Sequence, residues 1–183
     1  MSRLQTPASV DAAPAGSRLL LNAVKAQLGV VPNMFRVISN SPAALEGYLS
    51  LNGALAEGAL DAPTRERIAL AVAEFNGCSY CLSAHSFLGK NKAHLDDAEI
   101  AANRDGRSHD ARAEAALRFA LKVVEARGHV SDADIADVRT AGYSDAEIVE
   151  IVLHVALNTL TNYVNEVART AVDFPAVNAR RAA

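Results

Sequence analysis

From Thr64 to Phe174 the chain runs for 111 residues without a proline, while five of its six prolines fall at or before Pro63. Proline is the residue that a helix interior tolerates least, so its absence lets this stretch run as uninterrupted helices. Glycines supply the stops: Gly29, Gly77, Gly89, Gly106, Gly128 and Gly142 each follow an apolar run of helical period, where a left-handed residue closes a helix. The expected helices lie near 17–28, 42–57, 63–76, 78–89, 96–105, 109–127, 132–141 and 145–171. Their starts agree, since Ser131 precedes Asp132 and Asp134, and Ser144 precedes Asp145 and Glu147, placing caps and acidic first turns at the positive end of the helix dipole.

Composition points the same way. Alanine fills 37 of the 183 positions, there is no tryptophan, and no period-two strand pattern bounded by turn residues stands out, so the expected fold class is all-α. Met1 to Gly16, with Pro7 and Pro14 among small residues, reads as a flexible arm. Residues 17–176 read as one all-helical domain and 177–183 as a tail. A formal net charge of -3 leaves no basic excess for nucleic acid or anionic lipid. The longest apolar runs, Ile68 to Ala73 and the interrupted Ile148 to Leu157, fall far short of the roughly 20 residues that span a bilayer. The expectation is a cytoplasmic protein without membrane or nucleic-acid partners. Thr64–His85 and Ser144–Asn165 share a capped start and an apolar helix, as if one unit were used twice, although few positions are identical.

Both cysteines sit in Gly77-Cys78-Ser79-Tyr80-Cys81-Leu82-Ser83-Ala84-His85. With Gly77 ending one helix and Cys78 opening the next, the sulfurs fall in a first turn, where free backbone N–H groups stabilise thiolate. Cys78, Cys81 and His85 share one stripe of the helix and Tyr80 points away. An imidazole four residues after a thiol can take its proton and make it a nucleophile, and Cys78 is placed to resolve an oxidised Cys81. Glu66 lies on the apolar face of the preceding helix, where a carboxylate needs a partner; if the two helices pack antiparallel, it reaches His85 and orients the ring.

Other readings of C-x-x-C fare worse. Zinc wants four ligands, and a structural disulfide would close a loop of only four residues. A thioredoxin-like pair would need a preceding strand. His154, Asn158, Thr161, Asn162 and Asn165 form a polar stripe that either faces the cysteines, faces another subunit or satisfies itself in the core. Tyr48, Tyr80 and Phe87 are candidates for a pocket wall, Tyr80 being the one singled out. The outline of a helix-turn-helix at 132–146 carries mostly acidic residues and would repel phosphate.

Residues 65–85 resemble the core motif of the alkylhydroperoxidase D-like branch of the carboxymuconolactone decarboxylase family: a Glu twelve residues before C-x-x-C and a His four residues after it. Leu28-Gly29-Val30-Val31-Pro32-Asn33, Ser41-Pro42 and the stretch from Asn165 to Pro175 resemble its peroxidase-related subgroup. The resemblance implies an AhpD-like orthogonal bundle of helices with the C-x-x-C motif opening a central helix, a homo-oligomer, and peroxide reduction without haem, metal or other cofactor. By that pattern Cys81 attacks the hydroperoxide, Cys78 forms the disulfide, Glu66 and His85 relay protons, and a dithiol protein restores the thiols. One departure is Tyr80, which stands where the best-known members carry a second His. The alternatives are a lyase of the decarboxylase branch acting on a small cyclic acid, and a non-enzymatic protein switched by its disulfide.

Overall fold

The computed structural model describes residues 2–180; Met1 and residues 181–183, the extremities of the expected arm and tail, lie outside them. Nine helices and no strand occur among the described residues: α1 (Ala15–Leu28), α2 (Asn33–Ile38), α3 (Pro42–Ala56), α4 (Ala62–Phe75), α5 (Ser79–Asn91), α6 (Asp97–Arg104), α7 (Ala111–Glu125), α8 (Asp132–Thr140) and α9 (Asp145–Ala168). The described residues are all-α, as the proline map allows.

The caps are local chemistry. Ser41, Asp61, Asp96 and Asp110 each accept a backbone N–H of the first turn that follows. Ser131 with Asp134, and Ser144 with Glu147, close reciprocal capping boxes. Two differences from expectation are instructive. The six-residue α2 is absent from the expected helices because it has too few residues to show a period. Gly89 does not end α5: it lies buried inside the helix, facing Leu95 and Ile100, and the chain turns instead at His94, whose φ is 57°. The apparent repeat also dissolves, because Thr64–His85 is two helices joined by a turn whereas Ser144–Asn165 is one continuous helix.

Helix α4 positions everything else. It packs against α5, α6, α7 and α9, and its faces serve two cores. Leu70 and Ala73 join a cluster with Leu21, Leu45 and Leu82, while Ile68, Ala71 and Val72 join Leu117, Val138 and Ile151. Burying each large aliphatic side chain contributes about 1.5–3 kcal/mol, so α4 anchors both halves. Its charged edge is satisfied by ion pairs, Arg67 with Glu99 and Glu74 with Arg104.

The segments outside the helices also pack. Arg3 N–H and the Ser2 hydroxyl donate to Ala168 O. After α9, Val177 N and Ala179 N donate to Ser83 Oγ and Ser79 Oγ, so the tail crosses the first turns of α5. No helix among the described residues is long and apolar enough to cross a membrane.

Candidate active site

The turn between α4 and α5 sets the geometry. Gly77 takes φ 71°; its N–H donates to Glu74 O, and Cys78 N–H donates to Ala73 O, a Schellman closure in which a side chain at the left-handed residue is strained. The chain then reverses, with Cys78 itself as the N-cap of α5: Cys81 N–H donates to Cys78 Sγ at 3.4 Å. Cys78 therefore stands just outside the helix, and only Cys81 lies within its first turn.

The two free sulfurs are 2.9 Å apart, with Cys78 donating. That thiol hydrogen bond is the largest influence holding Cys81 down at about 7, against its own burial; the His85 charge and the amides of Asn165 and Asn162 add to it. Cys78 moves the opposite way, pushed up by its role as donor, by burial and by the neighbouring sulfur. One sulfur is thus prepared as thiolate and the other held as thiol.

Reversal of the chain at Gly77 also brings Glu66 beside His85, with Glu66 Oε2 2.9 Å from His85 Nδ1. Burial disfavours the imidazolium, but the charge and hydrogen bond of Glu66, with the Cys81 sulfur, outweigh it and lift His85 above its ordinary value. The four residues singled out by spacing in the sequence converge on one site.

Tyr80 lines the same cavity, but its hydroxyl is committed elsewhere. It donates to Asp173 Oδ1 at 2.9 Å and accepts Met34 N–H at 3.1 Å, tying α5 to α2 and to the segment after α9. The residue in the second-His position of the motif is therefore a structural tether whose hydroxyl is already engaged.

The polar stripe of α9 faces the site. Asn165 Nδ2 donates to Cys81 Sγ at 3.3 Å, Asn162 accepts from Asn76 Nδ2, and His154, Asn158 and Thr161 line the cavity. These are the site residues that spacing alone left undecided. Their signal was a run of polar groups on the buried side of an apolar helix. The cavity has a volume of about 390 Å3 and is bounded by Tyr48, Glu66, Cys81, His85 and His154 among others. No cluster of metal-ligating side chains occurs among the described residues.

Comparison with known proteins agrees with the fold and the motif. Residues 42–126 match the model of the Carboxymuconolactone decarboxylase family, so the resemblance drawn from residues 65–85 holds. A peroxidase-related protein of Ralstonia eutropha JMP134, described as an alkylhydroperoxidase AhpD core, superposes with a TM-score of 0.83 at 28% identity, over 94% of this chain and 92% of that one. A peroxidase-related protein of Silicibacter sp. TM1040 (TM-score 0.79, 24% identity, 93% and 94% covered) shares the fold. So does the debrominase Bmp8, solved in complex with 2,3,4-tribromopyrrole (TM-score 0.78, 19% identity, 94% of both chains). An uncharacterized protein of Haemophilus influenzae is 54% identical over 46 residues; the match spans 25% of this chain and 41% of that curated relative's length. The fold is AhpD-like.

Proposed function

We propose that this chain, which carries the Carboxymuconolactone decarboxylase family pattern over residues 42–126 on an AhpD-like fold, is a thiol peroxidase that reduces hydroperoxides. The observation that carries the reading is the asymmetric sulfur pair: Cys81 held down at about 7 by a protonated Cys78 2.9 Å away, beside the Glu66–His85 pair.

The thiolate of Cys81 attacks the terminal oxygen of the hydroperoxide, the O–O bond breaks, and the departing alkoxide takes a proton from His85, leaving an alcohol and a cysteine sulfenic acid. Cys78 then forms an S–S bond to Cys81 as the sulfenic hydroxyl leaves with the Cys78 proton as water. Glu66 holds the imidazole in place and supports its charge. An external dithiol, a protein in this reading and one met in the cytoplasm, supplies two electrons and two protons to restore both thiols. With Cys78 0% and Cys81 2% exposed, that dithiol enters through the cavity or meets a loosened first turn of α5.

Self-association belongs to the same reading. Val149, Leu153, Leu160, Tyr163 and Val167 form an exposed apolar edge along α9, opposite the face that contacts Cys81, and a second copy would remove it from water. Light scattering of wild type against Leu160→Glu tests this, with loss of the oligomer expected.

Mixing reduced protein with tert-butyl hydroperoxide tests the chemistry. The expected result is one equivalent of peroxide consumed per chain with the loss of two thiols, no reaction in Cys81→Ser, and a trappable sulfenic acid in Cys78→Ser. Wild-type turnover by Cys81→Ser would overturn the assignment. A lyase using Glu66 and His85 alone would leave the sulfur pair idle, and turnover indifferent to thiol alkylation would identify it.

A further inference from the structure

The cavity is far larger than the smallest peroxide needs. Its 390 Å3 corresponds to on the order of a dozen water volumes and falls in the range, roughly 300–1,000 Å3, of sites for organic ligands. Its length can be followed on α9, where Thr161, Asn158 and His154 line it on successive turns beyond Asn165, which touches Cys81. From Thr161 to His154 this lining runs seven residues, about 10 Å at about 1.5 Å per residue.

Charge in the walls is one-sided. Among the described residues Arg65 and Lys92 are the cations that line the cavity and Glu66 is the carboxylate, and Glu66 is taken by His85. Glu150, whose charge reaches His154, is committed to the N–H groups of Ala59 and Leu60. Arg65 donates from Nη1 to Ala56 O and Leu60 O, and no carboxylate of the described residues pairs with it. His154 is 6% exposed and its Nε2 has no hydrogen-bond partner. Burial first, and then the charge of Arg65, outweigh the opposing charges of Glu150 and Glu66 and keep its imidazole neutral near pH 7, with a pKa lowered to about 4. A buried nitrogen without a partner costs stability unless something fills the position. Around it the walls are apolar, with Phe35, Leu49, Leu157 and Phe174.

We propose that the cavity takes an amphipathic organic anion, whose carboxylate or equivalent charged head is held by Arg65 and His154 while its apolar body lies against Phe35, Leu49 and Leu157, directing its far end to Cys81. Charge-assisted hydrogen bonds to the head favour the anion over a neutral molecule of the same length. What happens at the far end rests on the peroxidase reading, which makes the substrate a long-chain acid bearing a hydroperoxide remote from its carboxylate; binding of the head does not.

The test is calorimetric titration of the reduced wild-type protein with decanoate and with 1-decanol. Decanoate should bind about tenfold or more tightly, and Arg65→Met or His154→Leu should each remove most of that preference without weakening 1-decanol. Equal affinities for the two probes in wild type overturn the proposal, a comparison that needs no variant to fold. The two readings separate cleanly. Protein that prefers decanoate yet reduces no hydroperoxide keeps this site and loses the peroxidase, whereas protein that reduces tert-butyl hydroperoxide but shows no preference keeps the peroxidase and loses this site.

Discussion

The side-chain amide of Asn165 donates to Cys81 Sγ at 3.3 Å across a separation of 84 residues. A donor to sulfur stabilises thiolate over thiol, so the last helix of the fold contributes to the reactivity of a cysteine at the start of α5. Asn165→Ala should raise the Cys81 pKa by about one unit and, from a starting value of about 7, slow peroxide consumption at about pH 7 roughly fivefold as the thiolate fraction falls. Thiolate absorbance followed against pH checks it; an unmoved titration would show that the contact has no electrostatic weight.

The pH dependence follows from two groups shifted in opposite senses. Cys81 is held down at about 7, so the stability it contributes is present above its unfolded value and is lost as pH falls through about 7. His85 is raised, so its contribution is complete below its ordinary value of about 6.5 and disappears as pH rises through the folded value. Glu66→Gln should therefore cost about 1–2 kcal/mol at about pH 6 and much less at about pH 9. Urea denaturation at the two pH values measures the difference.

Tyr80→Phe should leave the Cys81 titration nearly unchanged while destabilising the fold by about 1–3 kcal/mol, since Met34 N–H and Asp173 both lose a partner. Hydrogen exchange should quicken in the segment that follows α9. A strong loss of peroxidase activity with unchanged exchange would instead make the hydroxyl a participant in the chemistry.

Leu70, fully buried on the central helix, should cost about 2–5 kcal/mol as Leu70→Ala, lowering the midpoint of thermal unfolding by about 2–4 °C for each kcal/mol. Leu160→Ala, on the exposed side of α9, should leave the unfolding of the isolated chain within about 0.5 kcal/mol.

Much of this fold is legible residue by residue because its signals are local. A proline-free stretch, Ser131 and Ser144 ahead of acidic turns, and left-handed glycines at positions 77, 106, 128 and 142 each act within a few residues of where they stand. Gly89 misleads because a glycine also serves where two helices approach closely, as it does against Leu95 and Ile100. In the site, Glu66, Cys78, Cys81 and His85 are legible because one turn at Gly77 brings them together. His154, Asn162 and Asn165 are not, because their facing depends on how the chain returns after α6, α7 and α8. Spacing along one helix cannot say what lies opposite it. Tyr80 shows the same limit: helical geometry turns it away from the sulfur, but only the folded chain reveals Asp173 waiting for its hydroxyl.

Helix α4 supplies walls to both hydrophobic clusters, so neither half of the molecule retains an intact interior once that helix departs. The two halves should melt as one cooperative unit, with a calorimetric enthalpy matching the van't Hoff value. Heat that loosens the α7–α9 side would then disable the sulfur site at the same temperature, and the protein would lose its chemistry and its shape in a single event.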